Sequence, residues 1–129
     1  MARILIIEDE IQLGGALRHM LERAGYEVVE ARNGREGVHH FRAMPPDLVI
    51  TDILMPEQEG LETIRALRQT CPAIKIIAIS GGGQKRTLNF LFVAEKLGAQ
   101  RTLWKPFRRQ ELLEAVRELL GEDQEACAC

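Results

Sequence analysis

Four short stretches of the 129-residue chain carry side chains that could do chemistry together: Glu8-Asp9-Glu10, Asp52, Ser80 and Lys105. Neighbouring carboxylates repel one another, so a site that gathers them raises at least one pKa or recruits a cation. Mg²⁺ suits such a site, because it takes oxygen ligands in octahedral geometry and usually keeps several waters. It would still have a position for a phosphoryl oxygen, while Lys105 would supply a second positive charge and Ser80 a hydrogen-bond donor. A carboxylate nucleophile with these partners can make and hold an aspartyl phosphate. Each group alone has an ordinary explanation. Glu8 or Asp9 could cap the following helix, Ser80 precedes three glycines in a turn-like stretch, and Lys105 could be a surface lysine. The conjunction carries the reading.

These groups can meet only if the chain brings them to one edge, and its hydrophobic pattern says how. Arg3–Ile7 is a continuous apolar run of the kind found in parallel strands covered on both faces. Leu13, Leu17, Met20, Leu21 and Ala24 then recur at helical spacing and stop at Gly25. Tyr26–Glu30 reads as a second strand. Asn33 and Glu36 make a capping-box-like start to a second helix that ends at Pro45-Pro46. Leu48–Thr51 gives a third strand, and Leu61, Ile64 and Leu67 a third helix ending before Pro72. Ile74–Ile79 is a β-branched fourth strand, a fourth helix falls somewhere within Arg86–Leu97 and ends at Gly98, and Arg101–Trp104 is a fifth strand. A fifth helix after Pro106 presents Leu112, Leu113, Val116, Leu119 and Leu120. Five alternating strands and helices predict a (βα)5 doubly wound, five-stranded parallel sheet with helices on both faces. Ligands of such sheets bind outside the carboxyl ends of the strands, where the strand order reverses. Glu8-Asp9-Glu10, Asp52, Ser80 and Lys105 all fall at such ends.

The composition fits one compact unit. Apolar residues make up 46% and charged residues 28%, a globular balance. No apolar run approaches the ~18 residues of a membrane span, and the N-terminus has no signal-peptide pattern, so a soluble, cytoplasmic protein without membrane insertion is expected. The net charge of −2 hides blocks: residues 1–62 carry net −6, residues 63–84 +3, residues 85–109 +6 and residues 110–129 −5. One Trp, one Tyr and a pI near 5.9 disfavour direct nucleic-acid binding. The three cysteines, Cys71, Cys127 and Cys129, are odd in number and are expected as reduced thiols.

The motifs resemble those of bacterial response-regulator receiver domains of the stand-alone, single-domain type. Glu8-Asp9, then Asp52-Ile53-Leu54-Met55-Pro56 with Gly60, then Ser80-Gly81, then Lys105-Pro106-Phe107 follow that family's order and spacing. The resemblance implies the flavodoxin-like receiver fold over residues 1–120, with 121–129 as a short acidic, cysteine-containing tail. It implies that Asp52 accepts a phosphoryl group from a sensor histidine kinase or a histidine phosphotransfer protein. It further implies Mg²⁺ held by Asp9, Asp52 and the backbone carbonyl of Leu54, with Glu8 acting through water. Lys105 would contact the phosphoryl group and Ser80 would swing toward it. The surface of the fourth helix, fifth strand and fifth helix would then meet a downstream protein target or a second copy of the chain.

The chain also departs from that pattern. Thr102 stands where the family usually has Tyr or Phe, and strand alternation puts Trp104 on the same face. Trp104 is therefore a candidate for the switch role, with simple packing as the competing explanation. Leu54 and Gly82 flank the expected water path and cannot orient a water through a polar side chain, so slow self-dephosphorylation is expected. Gly81-Gly82-Gly83 lacks the spacing of a nucleotide phosphate loop. Lys85, Arg86, Lys96, Arg101, Arg108 and Arg109 form the basic block, which favours an acidic partner or self-association.

Two competing readings fail on order or composition. A haloacid-dehalogenase-type phosphatase has its nucleophilic Asp after the first strand within Asp-x-Asp, whereas here the lone acid follows the third strand and Leu54 replaces the second Asp. A flavodoxin-like electron carrier wants hydroxyls and glycines where this chain has three acids. A phosphorylation-independent adaptor, resembling a pseudo-receiver, is marked by loss of the acceptor or the lysine; both are present, and the adaptor stands as the alternative to the phosphorylated switch. The nine residues after 120 are too few for a DNA-binding or enzymatic output, so a protein contact is the expected output.

Overall fold

The computed structural model describes residues 2–53, 59–81, 96, 98–105 and 107–120. The elements are β1 (Arg3–Ile7), α1 (Ile11–Arg23), β2 (Glu27–Ala31), α2 (Gly34–Ala43), β3 (Leu48–Asp52), α3 (Glu59–Thr70), β4 (Lys75–Gly81), β5 (Arg101–Lys105) and α4 (Arg109–Leu120). The five strands form one parallel sheet in the order β2-β1-β3-β4-β5. The order reverses beside β1, which puts the ends of β1 and β3 at the switch point. The expected fourth helix lies outside the described residues apart from Lys96, which is helical. Gly82, Leu54, Pro106 and the 121–129 tail also lie outside them.

Alternation along the buried strands builds two cores. Ile4 and Ile6 of β1 join Leu48, Ile50, Ile77 and Ile79 beneath α1 and α4. Leu5 and Ile7 join Val49, Ile76 and Ala78 on the opposite face, with Phe41 of α2 and Ile64 and Leu67 of α3. A strand covered on both sides has no polar face to show, which explains the unbroken Ile4-Leu5-Ile6-Ile7 run. At Gly37 a Cβ would lie 2.4 Å from Ile7 Cδ1, so the absent side chain lets α2 press onto β1.

Local signals account for most boundaries. The Asn33 side chain accepts from Glu36 N at 2.8 Å, while Glu36 returns a bond to Arg32 N at 3.0 Å, so the capping-box reading holds. Gly25 takes φ 101 just beyond α1. At α1 the expectation fails. The cap position is Glu10, which makes no side-chain cap bond. Glu8 instead accepts from Glu10 N at 3.1 Å, because its side chain is turned into the strand-end site. Three strands run further than the apolar pattern shows. The ladder continues through Asp52↔Ile79 and Gly81↔Lys105, so Asp52, Ser80 and Lys105 belong to strands. Backbone pairing needs no apolar side chain, and that extension was invisible to hydrophobicity. Cys71 is fully buried and disulfide-bonded, which corrects the expectation of a reduced thiol. An odd count excludes complete pairing and leaves room for one pair.

Candidate functional site

β1 delivers Glu8 and Asp9 just past its carboxyl end, and β3 delivers Asp52 as its last residue. The two strands are neighbours, with Ile7 paired to Thr51, so the acids arrive side by side. One carboxylate oxygen from each of Glu8, Asp9 and Asp52 lies within 4.8 Å of the others. Glu8 and Asp52 are each 3% exposed, whereas Asp9 faces solvent. Lys105, at the end of β5, reaches across β4 to place Nζ 2.9 Å from Asp52 Oδ2 and 3.5 Å from Glu8 Oε1.

The charges are unevenly compensated. Burial, and then the negative charge of Asp52, push the Glu8 carboxyl from 4.5 up to about 7, and Lys105 offsets this only in part. Glu8 Oε1 is buried with no hydrogen-bond partner. Burial alone would lower the Lys105 pKa. Its hydrogen bond and ion pair with Asp52, with Glu8 behind them, hold the ammonium above its usual value. Three acids against one amine, with a buried Glu8 oxygen held only by a long ion pair to Lys105, fit a hard divalent cation, whose charge would relieve the repulsion that raises Glu8.

The strand register carries the remaining candidates toward this rim. Ser80 pairs with Trp104 and Ala78 with Thr102, so Thr102 and Trp104 share one face while Leu103 turns to the other. Thr102 is half-buried and Trp104 is 36% exposed. Beside Lys105 lies a cleft of about 520 Å³ lined by Glu10, Gln12, Leu13, Met20 and Phe107. In the sequence Leu13 and Met20 read only as apolar residues at helical spacing and Phe107 only as part of a motif. Their seven-residue spacing along α1 was the available signal that they flank one groove.

Residues 4–117 match the response regulator receiver domain family. The chain belongs to that family. The receiver is 36% identical to chemotaxis protein CheY of Thermotoga maritima over 118 residues, covering 91% of this chain and 96% of that protein. It is 34% identical to the CheY of Bacillus subtilis over 120 residues, covering 92% and 98% respectively. It is also 39% identical to a probable transcriptional regulatory protein of Picosynechococcus, where the match covers 95% of this chain and 51% of that protein. Among solved structures, a receiver domain protein from Clostridium thermocellum superimposes with a TM-score of 0.87 at 31% identity, covering 97% of this chain and 98% of its own. The receiver is thus a signalling switch with the phosphoacceptor function of two-component systems, and the adaptor alternative is not favoured. Its acidic group at Glu8, Asp9 and Asp52 is where the Mg²⁺ of such domains can bind. Among the described residues, no helix is long and apolar enough to cross a membrane.

Proposed function

We propose that Asp52 is the phosphoacceptor and that Lys105 and the acids around it make it one. The observation that carries this is the buried Asp52 carboxylate with Lys105 Nζ at 2.9 Å. A carboxylate sheltered from water can attack phosphorus when nearby positive charge offsets its repulsion with the phosphoryl oxygens. An Asp52 oxygen attacks the phosphorus of a phosphohistidine, the P–N bond breaks, and the imidazole leaves with the electron pair. Lys105 then follows the phosphoryl oxygens, where negative charge is spread in the transition state. Bound Mg²⁺ would neutralise the phosphoryl oxygens during this transfer. Asp9, Asp52 and the Leu54 carbonyl would hold it, with Glu8 acting through water.

The donor is a sensor histidine kinase or a histidine phosphotransfer protein, since the imidazole must reach the rim formed by Glu8, Asp52 and Lys105. Ser80 reports occupancy, with Thr102 and Trp104 responding along β5. The surface of β5, the segment before it and α4 then engages a downstream protein or a second copy of this chain. The protein works in the cytoplasm, binds no nucleic acid directly, and loses its phosphate slowly because Leu54 and Gly82 offer no polar side chain to a water. Residues 1–120 form the receiver and 121–129 a tail.

Acetyl phosphate with Mg²⁺, followed by intact-protein and peptide mass spectrometry, tests the assignment. One phosphoryl adduct on Asp52, lost in Asp52→Asn and strongly reduced in Lys105→Ala, is expected. Phosphorylation persisting in Asp52→Asn, or none in the native chain, would overturn it.

A further inference from the structure

Cys71 follows the last residue of α3 and carries a disulfide that the acidic site does not use. Its backbone is fixed, since Cys71 N donates to Leu67 O at 2.8 Å and Cys71 O accepts from Ile74 N at 3.0 Å. Its side chain is fully buried in the core on the α2 and α3 side of the sheet. The bond lies within one chain, and the sequence offers Cys71 two candidates, Cys127 and Cys129. The last turn of α4 returns to this end of the sheet. Lys75, the first residue of β4, donates from Nζ to Leu119 O at 2.9 Å. Residues 121–126 then separate Leu120 from Cys127. An extended chain covers roughly 3.3–3.6 Å per residue, so this length spans the short step past Lys75 and the Cys71–Ile74 turn.

We propose that Cys71 and one of Cys127 and Cys129 form a redox-controlled tether between the end of α3 and the segment beyond α4, leaving one free thiol. In a reducing compartment a protein disulfide is most often a redox-sensing or catalytic one. Both states suit the core, because reduced Cys71 packs as a small apolar side chain. The switch therefore acts on the attached segment while the sheet stays folded. The tether closes at the expense of a low-molecular-weight disulfide such as oxidised glutathione. One cysteine thiolate attacks it and releases a first glutathione; the second cysteine attacks the mixed disulfide and releases the other. A dithiol reductant opens the tether by the same exchange, forming its own disulfide and freeing both cysteines as thiols. The bond closes a loop over at least residues 72–126, which restricts the unfolded chain. Asp52 ends β3 at the opposite end of the sheet, so the tether is separate from the acidic site.

The full chain, equilibrated with oxidised or reduced glutathione, is quenched in acid, denatured and alkylated, and its intact mass is read. One alkyl label is expected after oxidation and three after reduction. Non-reducing digestion of the oxidised chain is expected to give a cross-linked peptide joining Cys71 to the 127–129 segment. The oxidised chain is also expected to melt roughly 5–15 °C above the reduced chain. The double variant Cys127→Ser/Cys129→Ser keeps Cys71 in the core, and it should lose the cross-linked peptide and melt alike in both conditions. Three labels after oxidation, a bond confined to Cys127 and Cys129, or a disulfide between two copies overturns the proposal. Glutathione adducts without an internal bond, or equal melting of the oxidised and reduced native chain, would overturn it as well.

Discussion

Glu8 and Lys105, at the ends of two different strands, are both pushed toward their protonated forms, Glu8 by burial and Lys105 by its acidic partners. The Glu8 carboxyl is held at about 7 against 4.5 when free, chiefly by burial and then by Asp52. Between those values the folded chain keeps a proton that the unfolded chain has lost, so stability falls as pH rises through the window. Below about 4.5 this penalty is absent and above about 7 it is complete. In metal-free protein, chemical denaturation across pH 4.5–7.5 should show Glu8→Gln gaining stability over the native chain as pH rises, by up to a few kcal/mol. A cation at the acids should shrink that gap, and a pH-independent difference would contradict the burial argument. Trp104, the sole tryptophan and 36% exposed, supplies a probe at the other end of the site. It pairs in register with Ser80. Beryllofluoride with Mg²⁺ is expected to change its fluorescence, and Asp52→Asn to abolish the change. An unaltered signal in the native chain would remove Trp104 from the switch. The acid, hydroxyl and lysine positions were legible because, though each is ordinary alone, together they collect at the ends of four strands. The burial of Glu8 was not legible, because only folding determines which group loses water.

Two glycines separate propensity from packing at the scale of the elements. Gly15, exposed within α1, has open space where a Cβ would go, so Gly15→Ala should stabilise by roughly 0.5–1 kcal/mol through helix propensity alone. Gly37 in α2 offers the same propensity gain, but its Cβ would lie 2.4 Å from Ile7 Cδ1 and 2.8 Å from Ile7 Cγ1. Ile7 is fully buried, and overpacking there should outweigh the gain, giving a net loss of about 1–3 kcal/mol. Ile7→Val removes the nearer atom, so the double variant should be less destabilised than the sum of the singles, as urea unfolding would measure. In the sequence both positions are helical glycines. The alternation of apolar runs and helical periods gave the order and type of the elements. It could not separate these glycines, nor carry β3 to Asp52 or β5 to Lys105, because sheet pairing is a contact with a distant strand.

Across the whole molecule, Arg68 of α3 ties together parts that are remote in sequence. Its guanidinium donates to Pro72 O at 2.8 Å, to Gln100 Oε1 at 3.2 Å, and to the carbonyls of Ile74 and Gly98. Gln100 in turn accepts from Ile76 N at 2.8 Å, so a side chain continues the ladder just before β5. Burial lowers the Arg68 pKa. Arg68→Ala should cost roughly 1.5–3 kcal/mol in urea unfolding, as expected for charge-assisted bonds to carbonyls. Phosphorylation at the far end of the sheet should survive it. Nothing in the sequence distinguishes Arg68 from Arg65, which is exposed one turn earlier on the same helix. The basic block is likewise modified by folding, since Arg101 pairs with Glu118 of α4. By itself the sequence determined the parallel α/β class, the order of the elements and the residues that collect at the strand ends, because periodicity and strand-end chemistry are local. Only the tertiary structure decided that Glu8 and Asp52 are buried while Asp9 is not, that Lys105 spans β4 to reach both, and that Arg68 sits among carbonyls. Burial and electrostatic compensation depend on which distant residues arrive together, and no local pattern encodes that.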